Sequence, residues 1–408
     1  MPGDSTVVLV GTLDTKGHEL EYMRDRVREA GLEVVLVDVG VLDEPQVRAD
    51  ISREEVAEAA GADHSELVAE ADRGRAVEVM GRGAGIVLGR LHDEGRLQGA
   101  AAVGGSGNSS IAAAAMRNLP VGVPKLIVST VASGDTRPYV GAKDVTMMYS
   151  VVDIAGINQI SERILANAAG AIAGMAGVTV PAAREARPLV GATMFGVTTA
   201  AVTRARERLE ELGYEVLVFH ATGTGGQSME ALATGGFLAG VLDLTTTELA
   251  DDLVGGVLSA GPDRLQAAGE AGVPQVVSLG ALDMVNFGPR DTVPERFADR
   301  TLYVHNPTIT LMRTTPSENA ELGRRIAEKL NRAGSPTVLF VPLGGVSAID
   351  VDGQPFHDRE ADEALFDALR EHLDGARVEV QELDTDVNDP AFATAMADRL
   401  HELVQENR

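Results

Sequence analysis

Residues 10–40 read VGTLDTKGHELEYMRDRVREAGLEVVLVDVG, and residues 190–223 read VGATMFGVTTAAVTRARERLEELGYEVLVFHATG. Each stretch is a strand, a loop, a helix, a glycine and a second strand. In the first, Leu20, Met23, Val27 and Ala30 recur at helical spacing, and Gly31 stands where a left-handed C-terminal cap belongs. Gly213 has that place in the second. The strands that follow, EVVLVDV and EVLVFH, are unbroken apolar runs, the pattern of parallel strands covered on both faces. The chain therefore begins a β-α-β unit twice.

The echo continues in GVPKLIVS at 122–129 and GVPQVVS at 272–278, each an apolar strand entered through Gly-Val-Pro after a helical segment. The expected fold is α/β: two doubly wound Rossmann-like domains with mostly parallel sheets, related by an internal duplication and spanning residues 1–180 and 187–408. The join is placed in VTVPAAREARPL, residues 178–189, where two prolines flank a charge cluster. Further on, the spacing predicts a helix over 317–332, a strand at 337–343, a helix over 360–373 and a strand at 377–383. A last helix is opened by Asp389 as cap and Pro390 in the first turn. Residues 52–98 read as largely helical, with no role legible in them.

Composition bounds the function. At 408 residues, with 44% hydrophobic and 24% charged side chains, the chain is an ordinary globular protein too long for one core. It has no cysteine, which excludes disulfide and thiolate chemistry, and no basic-apolar-small succession of a signal peptide, so a cytoplasmic location is expected. The most apolar helix candidate, residues 164–177, follows Glu162 and Arg163 and falls short of the roughly 20 residues a membrane span needs. A net charge of −26 argues against nucleic acid, whose phosphates need a basic face. Only four of the 35 basic residues are lysines, at 16, 125, 143 and 329, and three of them flank loops of the first half.

Ligands of open α/β sheets bind at the carboxyl ends of the strands, so the loops leaving those ends are the candidates. The first, GTLDTK, joins Gly11 and Thr12 to Asp14 and Lys16, yet matches neither G-x-G-x-x-G nor G-x-x-x-x-G-K-[ST]. The second, VGGSGNSS at 103–110, turns into a helix. Gly104, Gly105 and Gly107 permit close backbone approach, Ser106, Asn108 and Ser109 supply polar groups, and a helix start suits an anion. The third runs from 129 to 158 and carries Ser133, Gly134, Asp135 and Arg137, then Lys143. Lysines and arginine suit phosphate, and Asp14 with Asp135 could serve a magnesium ion. Asp38 ends the second strand, where an acid can hold ribose hydroxyls. In the second half, His220 precedes the glycine-rich turn ATGTGG and suits a general acid or base. Asp135 and Lys143 are the other catalytic candidates. His357 with Asp350, Asp352 and Asp358 reads either as a metal cluster or as a tight turn.

Five ordered motifs, VGTLDTKGHE, VGGSGNSS, STVASGDTRPYVG, FHATGTGGQSME and PLGGVSAID, carry a resemblance that covers nearly the whole chain. It resembles the family of uncharacterised bacterial and archaeal proteins that shares its sequence with the ATP-binding N-terminal region of a tomato resistance protein against tobamoviruses. The resemblance implies two Rossmann-like domains, ATP binding and self-association. It is carried by Gly11, Thr12, Asp14 and Lys16, by Gly104 to Ser109 and by Ser133 to Arg137. The expected activity is that of an ATP-dependent enzyme, with Mg2+, acting on a small acid or phosphorylated metabolite in a cleft facing His220. The alternatives are a nucleotide-responsive binding module without turnover and a dinucleotide-dependent oxidoreductase. A homodimer is expected, through a helix face on which Gly170, Gly174 and Gly177 fall at i, i+4 and i+7.

Overall fold

Val7, Val8, Leu9 and Val10 are all fully buried, as a strand covered on both faces must be. The computed structural model describes residues 5–179 and 186–407 and separates the chain into two compact units, Met1–Ala182 and Ala183–Arg408. Half of the stretch assigned to the join, residues 180–185, lies outside the described residues.

The first unit runs β1 (Thr6–Gly11), α1 (Leu13–Glu29), β2 (Glu33–Asp38), α2 (Arg53–Ala59), α3 (His64–Glu70), α4 (Arg73–Asp93), β3 (Gly99–Gly104), α5 (Ser106–Arg117), β4 (Lys125–Ser129), α6 (Arg137–Val140), β5 (Val145–Tyr149) and α7 (Gln159–Ala176). Its five strands are all parallel, in the order β2-β1-β3-β4-β5. Leu20, Met23 and Val27 of α1 pack with Leu165 and Ile172 of α7 on one face of this sheet. Met80 and Val87 of α4 pack with Ile111 and Met116 of α5 on the other. The segment without a sequence-level role is therefore α2, α3 and the long helix that packs beside α5. Residues 129–158, which the sequence presents as one loop, hold α6 and the edge strand β5. The run VTMMY is short and only half-buried, so it lacks the continuous apolar signature of its neighbours.

The second unit runs β6 (Leu189–Met194), α8 (Thr199–Glu211), β7 (Glu215–His220), α9 (Thr224–Thr234), β8 (Leu238–Thr245), α10 (Glu248–Val254), α11 (Ala267–Glu270), β9 (Gln275–Gly280), β10 (Met284–Phe287), β11 (Leu302–Asn306), β12 (Ile309–Arg313), α12 (Pro316–Leu330), β13 (Thr337–Pro342), α13 (Arg359–His372), β14 (Val378–Leu383) and α14 (Pro390–Glu406). Six strands form a parallel sheet ordered β14-β13-β9-β8-β6-β7. The core order β7-β6-β8-β9 repeats β2-β1-β3-β4, which is the internal duplication in three dimensions. Gly31 and Gly213 occupy matching left-handed turns at φ +89° and +94°. The three-stranded antiparallel sheet β10-β12-β11 is not expected from the sequence, and it belongs to the second unit alone.

No helix among the described residues is long and apolar enough to cross a membrane. On α7, Leu165, Ala168, Ala169 and Ile172 are buried against the sheet, whereas a β-carbon added at Gly170 or Gly174 would meet nothing within 4 Å. The bare glycine face is not required by the unit's own packing.

Candidate functional site

In the first sheet the chain leaves β1 toward β2 on one side and returns through β3 on the other. This reversal is the switch point at which open α/β sheets bind ligands. A cavity of about 600 Å³ lies there, within the size range of small-molecule sites. Thr12, Asp14 and Lys16 line it from the β1–α1 turn, and Gly105 to Asn108 line it from the start of α5. Two of the three loops singled out in the sequence therefore meet.

Asp14 is only 6% exposed. Its Oδ2 accepts from the backbone N–H groups of Leu42 (2.9 Å) and Asp43 (3.4 Å), latching the segment after β2 onto α1, while its Oδ1 has no partner. Gly40 makes this possible, since a β-carbon there would lie 2.8 Å from the carboxylate. Lys16 interrupts the helical dihedrals of α1 with φ −128° and ψ 16°, and its side chain makes no hydrogen bond or ion pair with the described residues. Asp38 does not line the cavity. It is buried at the foot of the turn, where its Oδ1 accepts from Leu13 N (3.0 Å) and Gly40 N (2.9 Å), and burial raises its pKa. It shapes the loop from beneath.

The glycines beside α5 serve Asn108. A β-carbon at Gly104 would come within 2.6 Å of the Asn108 side chain, and one at Gly11 would strike Leu20 at 2.3 Å. Asn108 donates from Nδ2 to Val103 O at 2.6 Å, and its buried Oδ1 is left without a partner. Gly105 is the N-cap of α5 and offers no side chain, so the first-turn amides keep their outward direction with no internal cap. Ser109 is turned away from the cavity, bonded to Ser129 Oγ at 2.7 Å.

The remaining wall comes from the stretch after β2, from α5 and from the segment without a sequence-level role. Val39, Val41, Leu67, Val77 and Ile111 make it apolar, and Leu42 and Val68 at its mouth are 71% and 43% exposed. Arg73, at the first position of α4, also lines the cavity. A signal for it exists in DRGR at 72–75, which puts two cations in the first turn of a helix, against the macrodipole. Arg75 is neutralised by Glu70 at 3.1 Å, and Arg73 makes no ion pair with the described residues.

Other candidates lie elsewhere. Ser133 and Gly134 are exposed and do not line the cavity. Asp135 engages Arg137 through both oxygens, at 2.8 and 2.7 Å, in an exposed turn that holds its pKa down at about 2. Asp14 and Asp135 thus do not share the cavity, and among the described residues no group of three or more acids or histidines could hold a metal. Lys143 precedes β5 and so lies at the amino end of the parallel strands, opposite the ligand end. Burial, and then Lys125 nearby, lower its pKa. Lys125 itself is fully buried, donating to Pro120 O, Val123 O and Asp144 Oδ1.

In the second unit His220 ends the edge strand β7, exposed, with its ring 5.4 Å from that of Phe195. The glycine turn after it is filled from within. Glu248 Oε1 accepts from Gly223 N (2.7 Å) and Gly226 N (3.1 Å), and its Oε2 accepts from Arg264 Nε at 2.7 Å. Arg264, fully buried, also forks onto both oxygens of Asp243 and reaches Glu230 at 3.4 Å. His357, Asp352 and Asp358 do not form a metal cluster with Asp350, which is buried against Arg313 at 3.2 Å beside Asp362.

Family models match both units: the N-terminal domain of the uncharacterised protein family UPF0261 over residues 5–181, and its C-terminal domain over residues 187–404. A UPF0261 protein of Clostridium tetani is 54% identical, covering 98% of this chain and 99% of its own. One from Rhizobium meliloti is 49% identical over 95% and 96%. A protein of Solanum lycopersicum named ToMV resistance protein Tm-1 is 42% identical over 98% of this chain, which spans 56% of the tomato protein. The chain belongs to the UPF0261 family.

Proposed function

We propose that this family member binds a nucleotide in the cavity of its first unit, ATP with Mg2+, and uses it to act on a small acid or phosphorylated metabolite. One observation carries the reading: the uncapped start of α5 opens onto the same cavity as two cations without an ion pair among the described residues, Lys16 and Arg73, beside an apolar wall. Backbone N–H groups at a helix start and nearby cations suit a phosphate chain, and the apolar wall suits a base. Of the two aspartates considered for magnesium, only Asp14 lines the cavity. An ion that arrives on the triphosphate needs no more than one or two protein carboxylates.

A nucleotide-responsive module without turnover is the second reading, favoured by a different observation. Both aspartates of the cavity already have one oxygen engaged by backbone N–H groups, Asp14 by those of Leu42 and Asp43, Asp72 by those of Gly74 and Arg75, which gives each a structural task and makes it a weaker general base.

Calorimetry with ATP and Mg2+ tests the binding. Lys16→Ala should weaken ATP by about tenfold to a hundredfold, the worth of one charge-assisted contact. Unchanged affinity removes Lys16 from the site. A ligand-bound structure with nucleotide only against Gly223 to Gly226 overturns the assignment to the first unit. Release of ADP or AMP in the presence of candidate metabolites separates the enzyme from the module.

A further inference from the structure

Arg73 is held in an unfavourable place. It occupies the first helical position of α4, where the macrodipole repels a cation, and Asp72 is already committed to capping Gly74 N (2.9 Å) and Arg75 N (3.1 Å). Its guanidinium also reaches over the start of a second helix: a β-carbon built at Gly107, in the first turn of α5, would stand 3.2 Å from Arg73 Nη2. The α4 start is capped by Asp72, but the α5 start and the Arg73 guanidinium converge with no anion of the described residues bonded to either. Beneath, the nine-tenths-buried Asn108 of the same turn has an acceptor oxygen with no donor.

Arg73 and Gly107 also separate two recesses. Inward lies the apolar cavity already described. Outward lies a shallower recess of about 400 Å³, lined by Gly74, Val77, Ser106 and Ser110 together with Arg73 and Gly107 themselves. A guanidinium is a rigid fork suited to bridging neighbouring phosphate oxygens.

Resting on the nucleotide reading, we propose that Arg73 is the specificity-determining residue of the site: it clamps a polyphosphate chain across the start of α5. The nucleoside lies in the inner cavity and the terminal phosphate in the outer recess. The ligand class is accordingly nucleoside di- and triphosphates, with monophosphates too short to reach the clamp. The outer recess, flanked by the Ser106 and Ser110 side chains, is where a second substrate would meet the terminal phosphate.

Calorimetric titration of the full chain, Arg73→Ala and Arg73→Lys with AMP, ADP, ATP and inorganic tripolyphosphate tests the assignment. Arg73→Ala should lose about tenfold to a hundredfold in affinity for ATP and tripolyphosphate, while AMP changes by less than about threefold. Arg73→Lys should recover part of the loss, since a point charge replaces the fork. Melting temperatures should be unchanged, because Arg73 is exposed and unpaired. An Arg73→Ala variant that keeps the wild-type ratio of ATP to AMP affinity overturns the proposal. Arg73-dependent binding of tripolyphosphate with no discrimination for the nucleoside would end the nucleotide reading and keep the clamp. A wild-type chain that binds none of the four probes would end both.

Discussion

The two glycine-rich turns, Gly104 to Asn108 in the first unit and Gly223 to Gly226 in the second, offer the same device in sequence: small residues leading into a helix start. In the second unit the helix start is occupied by the chain's own Glu248 carboxylate, itself neutralised by buried Arg264. In the first unit the corresponding groups face a cavity, and the nearby Lys16 and Arg73 make no ion pair with the described residues. In the second unit the glycine-rich turn holds an anion from the chain itself, and the proposed ligand site of the first unit rests on the absence of such an internal anion among the described residues. The second unit's anion comes from 25 residues along the chain, on a neighbouring helix.

The largest effect should come from removing the cation of the filled turn. Arg264→Ala leaves the buried Asp243 and Glu248, and the half-buried Glu230, without this countercharge. It should cost about 3–5 kcal/mol in urea unfolding of the second unit. A loss below about 1 kcal/mol would break the comparison, because the turn would then not depend on its internal ion pair.

The second unit should also be the more pH-sensitive half. Burial pushes Asp251 up to about 7 and, with Asp283 adding repulsion, Asp350 up to about 9, from 3.8 in the open chain. The folded state therefore holds protons that the unfolded state has released. This contribution to stability is complete below pH 3.8 and is lost as pH rises through about 7 and then about 9. The melting temperature should fall from pH 6 to pH 9, and Asp350→Asn should flatten the upper part of that fall. An unchanged slope in the variant would remove Asp350 as its source.

Glycine substitutions sharpen the contrast. A β-carbon at Gly226 would lie 2.2 Å from the Glu248 carboxylate and 2.5 Å from Arg264 Nε, both locked. Gly226→Ala should cost about 1–3 kcal/mol. At Gly107 the nearest atom is the end of an exposed arginine, so Gly107→Ala should be neutral in stability to within about 0.5 kcal/mol while weakening polyphosphate binding. Equal stability losses at the two positions would mean that both turns are packed alike.

The smallest effect concerns glycines that touch nothing. Gly174→Ala on α7 should raise helix stability by up to about 1 kcal/mol if its face is solvated. The homodimer expected from the sequence predicts instead that light scattering shows a mass above the 42.7 kDa of one chain, which Gly174→Leu reduces to it. A dimer that survives Gly174→Leu with its fold intact has its interface elsewhere.

How legible each part is in the sequence follows from the range of its interactions. The duplicated strands, the Gly31 and Gly213 caps and the turn before α5 are local, and spacing reveals them. Asp38 reads as a ribose acid because its position at a strand end is local, but its two backbone partners, Leu13 and Gly40, are set by how the loop folds back. Lys143 groups with Arg137 by proximity in sequence, although the chain passes from the carboxyl end of β4 to the amino end of β5 between them. Arg73 escapes a reading of the sequence because its meaning depends on where α4 lies against α5. Its unpaired charge in a helix's first turn is the one local trace.

The four lysines give the molecule a built-in set of chemical reporters. An amine-acylating reagent needs an accessible, deprotonated nitrogen. Lys125 is sealed, with three oxygens around its Nζ. Lys143 and Lys329 are half-buried with basicity lowered by desolvation, so a larger share of each is in the reactive form. Lys16 stands at the cavity with no partner among the described residues. In one mass spectrum of briefly acylated protein, modification at Lys125 registers unfolding of the first unit and modification at Lys143 and Lys329 gives a constant reference. The signal at Lys16 alone should fade as the cavity fills, a footprint of occupancy that works for a ligand of any chemistry.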